Sequence, residues 1–300
     1  MLNLPFDLAE KAKSVLFLGI GGGHDIYSAM PVFAKYRNSS LKMTLANVNS
    51  RLKNMALWKE AYDDMPESFL AEWLPSHRVY GLPRTGVQPL QKYLRQIVDE
   101  NQVDYIVCVD GGVDSLMSGD EEGAGTFLED TVSMIAAHSL GLPGMLMCLG
   151  FGTETDEGVC HHYALEKMAK LIRHGAFIGS CSLVRSTDEY AKYEAACLNA
   201  WGGNTGHSHI HTKVISAVKG SFGDANLFLD VDPRLTQRVS DVDYINPLMG
   251  VLWFFDLEAV LAGNLYVNAL RNTGTNTDVL MVHRQMLSKL QRRPRVAIPL

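Results

Sequence analysis

Residues 14–25, SVLFLGIGGGHD, run from a β-rich apolar heptapeptide straight into three glycines and then His24 and Asp25. An uninterrupted apolar run of this length reads as a parallel strand buried on both faces. The residues that follow, IYSAMPVFAKY, have helical spacing, so the whole reads as strand, glycine-rich turn, helix. The same alternation continues downstream. Lys42–Val48 reads as a second strand, Leu90–Asp99 as a helix, Asp104–Asp110 as a third strand, Thr126–Leu140 as a helix, Gly144–Leu149 as a fourth strand and His162–Arg173 as a helix. Strands alternating with helices predict an α/β protein, a Rossmann-like doubly wound and largely parallel sheet with helices on both faces.

Outside this frame the readings are coarser. Residues 58–73 read as helical with an interruption at Pro66, 176–184 as a strand, and 188–200 and 211–220 as helices. The apolar stretch Tyr244–Ala262, broken by Asp256 and Glu258, predicts a packed helix or a subunit contact, and a homo-oligomer is expected. Lys289–Arg295 reads as a solvated basic tail. The chain is taken as one α/β domain over 1–300, with 1–185 as the core and 186–300 as an extension of the same domain.

Composition narrows the function. Apolar residues make up 47% of the 300 and charged ones 20%, proportions that sustain a folded core. A formal net charge of -6 gives no basic field for nucleic acid or an anionic membrane, so neither is expected as a partner. The stretch Val132–Gly152 is apolar enough to suggest a span, but its GLPG at 141–144 divides it into helix, turn and strand. The N-terminus lacks the basic start and apolar run of a signal peptide, and the five cysteines are odd in number with no C-x-x-C, so a cytoplasmic chain with reduced thiols is expected.

In an open parallel sheet, ligands gather beyond the carboxyl ends of the strands. After the first strand, Gly21, Gly22 and Gly23 allow close backbone approach to an anion, with His24 and Asp25 at the helix start; a tight turn capped by Asp25 is the alternative. Asn47 and Asn49 end the second strand on one face, suited either to orienting a ligand or to bonding the turn's own backbone. The third strand carries the densest signal. Asp110, Gly111, Gly112 and Asp114 are followed by Asp120, Glu121 and Glu122, five acids within thirteen positions and no Lys or Arg among them. Carboxylates this close are relieved by a cation, by protonation or by water. Asp110 and Asp120 are therefore the candidate metal ligands, for Mg²⁺ or Mn²⁺, with Asp114 or Glu121 as the base that activates water. Gly152, Glu154 and Asp156 repeat glycine plus acid after the fourth strand; a helix cap is the plain alternative there. His207, His209 and His211 alternate, which would suit zinc on an extended segment, against a helix-capping or mobile stretch.

Three of these segments resemble an uncharacterised family, domain of unknown function 1152. GIGGGHDIYSAMP resembles its G-G-G-x-D turn, VDGGVDSLMSGDEEGAGTFLEDTVSMIAA its long acidic segment and GFGTETDEGV its third loop, over about Val15–Leu183. The resemblance implies a Rossmann-like fold and supplies no reaction. From the residues themselves, the expectation is a metal-assisted hydrolase or group-transfer enzyme for a phosphorylated or nucleotide-like small molecule. The rival expectations are a non-catalytic nucleotide- or metabolite-binding protein and a ureohydrolase-like amide or amidine hydrolase. The last is weakened because Ala46-Asn47-Val48-Asn49 stands where a D-A-H-x-D companion to GGGH is needed.

Overall fold

The computed structural model describes residues 1–62, 64–202, 206–226 and 242–298. Its strands are β1 Ser14–Gly19, β2 Lys42–Asn49, β3 Ala56–Trp58, β4 Arg78–Pro83, β5 Tyr105–Asp110, β6 Gly144–Leu149, β7 Phe177–Ser182, β8 Gly223–Asn226, β9 Val242–Ile245 and β10 Val251–Asp256. Eight form one sheet in the order β3-β4-β2-β1-β5-β6-β10-β7, and β8 pairs with β9 in a separate ribbon. From β4 to β6 all neighbours are parallel. β3 is antiparallel at one edge, and β10 is antiparallel to both β6 and β7.

Successive side chains of β1 show why the sheet is covered on both sides. Leu16 and Leu18 join a core with Leu90 and Leu94 of helix Val87–Asn101 and Met134 and Ile135 of helix Phe127–His138. Val15 and Phe17 join the opposite core, with Val32 and Phe33 of helix Met30–Tyr36 and Tyr193 and Cys197 of helix Asp188–Gly202. The doubly wound α/β expectation holds.

Several element readings change. Pro66 begins helix Pro66–Trp73, where its missing N–H costs nothing, so it starts that helix instead of interrupting one. β4 was not expected at all. Residues 251–256, VLWFFD, form a strand in the main sheet and not a helix: a central strand has apolar contacts on both faces, which removes the alternation that would mark it. Asp256 then caps the short helix Leu257–Ala262, its Oδ1 accepting from the Ala259 amide at 2.8 Å. Because β10 lies between β6 and β7, the C-terminal part is woven into the sheet. Among the described residues, no helix is long and apolar enough to cross a membrane.

The connection out of β1 runs to β2 on one side, and β5 lies on the other. That reversal opens a crevice at the carboxyl ends of β1 and β5. GGGHD leaves β1 and DGGVD leaves β5, so the two motifs face each other there.

Candidate functional site

A cleft of about 480 Å³ occupies this crevice. Its floor is acidic. Asp25 starts the single turn of 3₁₀-helix Asp25–Ala29, Asp110 ends β5, and Asp130 lies in the first turn of helix Phe127–His138. One carboxylate oxygen of each lies within 4.8 Å of the others. Gly21 lets Asp25 and Asp130 converge: a Cβ there would stand 2.8 Å from an oxygen of Asp25 and 2.5 Å from one of Asp130.

The three are held differently. Asp25 accepts from the Gly21 amide at 2.6 Å and from the amide of Gly111. Asp110 accepts from the amide and the hydroxyl of Ser115. Asp130 is buried, no N–H or hydroxyl group donates to its oxygens, and the group beside it is the carboxyl of Asp114. Burial raises all three. For Asp25 the charge of Asp110 adds to it, Asp110 itself is pushed up to about 8 with help from the Asp114 charge, and Asp130 is raised further by Asp114 and then Asp110. A buried carboxylate without donors, facing two others, is the environment a hard cation relieves.

Asp114 and Glu154 also line the cleft. One oxygen of Asp114 accepts from the Thr126 amide at 2.6 Å and its hydroxyl at 2.9 Å. Glu154 accepts from the Val113 amide at 2.6 Å and is raised by burial, then by the charges of Asp114 and Asp110. Gly112 is required for this placement, since a Cβ there would collide with the Glu154 carboxylate.

Histidines close one side. His207, His209 and His211 all line the cleft, but helix His209–Lys219 begins within the run, with Ser208 as its cap, so they do not alternate along an extended segment. His211 is buried: Nδ1 meets the Tyr193 hydroxyl at 2.8 Å and Nε2 donates to the His24 carbonyl at 2.9 Å. Burial lowers it to about 4, so it is a neutral strut for the glycine-rich turn. His24 is lowered to about 3 by burial and by the nearby His211 and His207, and its Nε2 is buried without a hydrogen-bond partner.

Of the residues singled out in the sequence, Gly21, Gly22, Gly23, His24, Asp25, Asp110, Gly111, Asp114, Glu154, His207, His209 and His211 line the cleft. The others lie elsewhere. Asn47 and Asn49 share a face as expected, yet both point at buried Glu67, and Asn47 also donates to the Gly23 carbonyl at 3.0 Å, so they brace the turn from behind. Asp120 and Glu121 do not join Asp110: Arg293 takes both, at 2.8 Å each, and Glu121 also accepts from the Ser118 and Gly119 amides. Asp120 as a metal ligand and Glu121 as the base are therefore corrected, because a favourable cation already neutralises them. Asp156 pairs with Lys213 at 2.8 Å, and Gly152 lies toward Asn246. The Gly21 amide, expected to hold an anion, is occupied by Asp25.

The sequence reading missed Asp130, Glu129, Arg84 and Glu157, which all line the cleft. Asp130 had one available signal: it is the last acid of a helix whose following residues, TVSMIAA, are otherwise small or apolar. Arg84 is the cleft's one Lys or Arg among the described residues, and it is ion-paired to Glu129.

No curated protein matches the chain. Among solved structures, the crystal structure of the zinc inhibited form of teicoplanin deacetylase Orf2 is similar over 80% of this chain and 97% of that one, at 11% identity and a TM-score of 0.37, too distant to bear on the chemistry here. The family model described as "Protein of unknown function (DUF1152)" matches residues 66–287, close to three quarters of the length, starting after the GGGHD turn and continuing well past Leu183. With that share of the chain matched, the protein belongs to the DUF1152 family.

Proposed function

We propose that this protein is a divalent-metal-assisted hydrolase or group-transfer enzyme acting on a phosphorylated or nucleotide-like small molecule. The observation that carries the reading is the trio Asp25, Asp110 and Asp130, with the Asp130 oxygens buried and given no donor. An all-oxygen carboxylate set suits Mg²⁺ or Mn²⁺. A cation held there supplies charge for a phosphoryl oxygen and lowers the pKa of bound water.

The remaining residues divide the proton chemistry. Asp114, fixed by two hydrogen bonds from Thr126, is the general base beside the trio. Glu154, raised by burial and by the charges of Asp114 and Asp110, is the general acid that protonates the leaving group. Arg84 is placed to meet the anionic part of the ligand from the cleft wall.

Thermal unfolding with and without Mn²⁺ tests this. Saturating Mn²⁺, at about a hundred times its Kd, is expected to stabilise the wild type by about 2.7 kcal/mol. Asp130→Asn is expected to lose that response and, in chelator, to unfold about 1–2 kcal/mol later than wild type, because it removes one of three repelling carboxyls. A wild type indifferent to Mn²⁺ and Mg²⁺, or a response that survives Asp130→Asn, would overturn the proposal.

A further inference from the structure

Among the described residues, Ile210 is the one aliphatic side chain that lines the acidic cleft. Small-molecule sites are ordinarily lined mostly by apolar groups with a few polar ones that fix orientation. A second cavity, of about 330 Å³, supplies the missing kind of wall. It is lined by Leu90, Phe127, Leu128, Val132, Val279 and Leu280, from three different helices. Two polar groups in its wall are already engaged: the Ser133 hydroxyl donates to the Ile20 carbonyl at 2.7 Å, and His283 Nδ1 meets the Tyr266 hydroxyl at 3.2 Å.

The two spaces are adjacent. Arg84, Thr126 and Glu129 line both, so one short partition separates the carboxylates from the apolar pocket. That partition carries the cleft's guanidinium, ion-paired to Glu129. A ligand lying across the partition would place an anionic group against Arg84 and the acidic floor, and an apolar group beyond it.

We infer that the substrate is amphipathic, an anionic group joined directly to an apolar ring or chain, and that the Leu90–Phe127–Leu280 pocket binds the apolar part. This rests on the metal-site reading given above and narrows its substrate class. The pocket recognises bulk and hydrophobicity, so it sets specificity without touching the reacting atoms.

Calorimetric titration of the Mn²⁺-loaded protein with 1-naphthyl phosphate and with methyl phosphate tests the inference, because the two monoesters differ only in the apolar group. Wild type is expected to bind the naphthyl ester at least about ten-fold more tightly, the effect of burying part of one ring. Leu280 is 48% exposed and can be changed with little effect on folding. In Leu280→Asp the preference should fall to within about three-fold, with affinity for Mn²⁺ and for methyl phosphate unchanged. Equal affinity of wild type for the two esters, with Mn²⁺ bound, would overturn the inference and leave the metal-site reading standing. Failure of Mn²⁺ itself to bind would remove both.

Discussion

Asp110 is buried and stands among carboxyls, and that one residue sets a measurable pH dependence. Its acidity is weakened to about 8, against about 4 in an unfolded chain, and Asp25, Asp130 and Glu154 shift the same way. The folded state therefore holds more protons than the unfolded one, and metal-free stability falls as pH rises through Asp110's folded value. The buried histidines act in the opposite sense, but His24, lowered to about 3, and His161 and His211, lowered to about 4, have finished contributing once pH passes the unfolded value near 6.5. Between pH 7 and about 8.5, urea unfolding in chelator is expected to lose about 1 kcal/mol per unit of pH, and saturating Mn²⁺ to flatten that slope. A flat metal-free profile would contradict the arrangement of these carboxyls. At this scale four of the cleft's acids were legible as acids in the glycine-rich segments that follow strands: Asp25, Asp110, Asp114 and Glu154. Asp130 was not legible: it reads locally as an ordinary first-turn helix acid and becomes unusual only because helix Phe127–His138 aims it at two strand ends.

At the scale of elements, the segment after helix Asn276–Lys289 decides how the two acidic loops are held. Arg293 reaches Asp120 and Glu121 at 2.8 Å, Glu166 at 2.5 Å, and lies over the Tyr163 ring at 4.3 Å. Its backbone pairs with the 120–122 loop, where the Arg293 amide donates to the Asp120 carbonyl and the Glu122 amide to the Arg293 carbonyl, both at 2.9 Å. Tyr163 fixes the Pro294 carbonyl at 2.6 Å, and Arg295 reaches the Gly158 carbonyl. The segment thus straps the loop after β5 to the loop after β6, the two that carry Asp114 and Glu154. Arg293→Ala leaves Glu121, almost fully buried, without its cation and is expected to cost about 3 kcal/mol in chemical unfolding. Arg293→Lys should recover less than half of that, since an ammonium cannot reproduce the two-pronged contact with Asp120. A loss under about 0.5 kcal/mol in Arg293→Ala would show the strap to be an ordinary surface contact. The basic run 289–295 reads as a solvated tail because its partners lie more than 120 residues earlier, and no local pattern announces a pairing that only tertiary structure makes. β10 escaped for the related reason that a strand covered on both faces looks like any apolar run.

Over the whole molecule, the placement of the site follows from chain order. β1 sends the chain to β2, β5 lies on its other side, and the crevice between them collects whatever ends both strands. The alternation of strands and helices made that architecture readable, as did the glycines beyond each strand end. Three things were beyond the reach of pattern: the antiparallel return of β10, the partition of the five acids near β5 between a cleft and a strap, and the apolar pocket built from helices far apart in sequence. Seven carboxyl side chains line this one cleft, so the central claim is that its floor holds a divalent cation. An anomalous difference map from crystals of the protein grown with Mn²⁺ tests that claim most directly. The expected result is a single strong peak within about 2.5 Å of carboxylate oxygens from Asp25, Asp110 and Asp130. A well-occupied Mn²⁺ elsewhere, with these three carboxyls bonded to one another through shared protons, would contradict it.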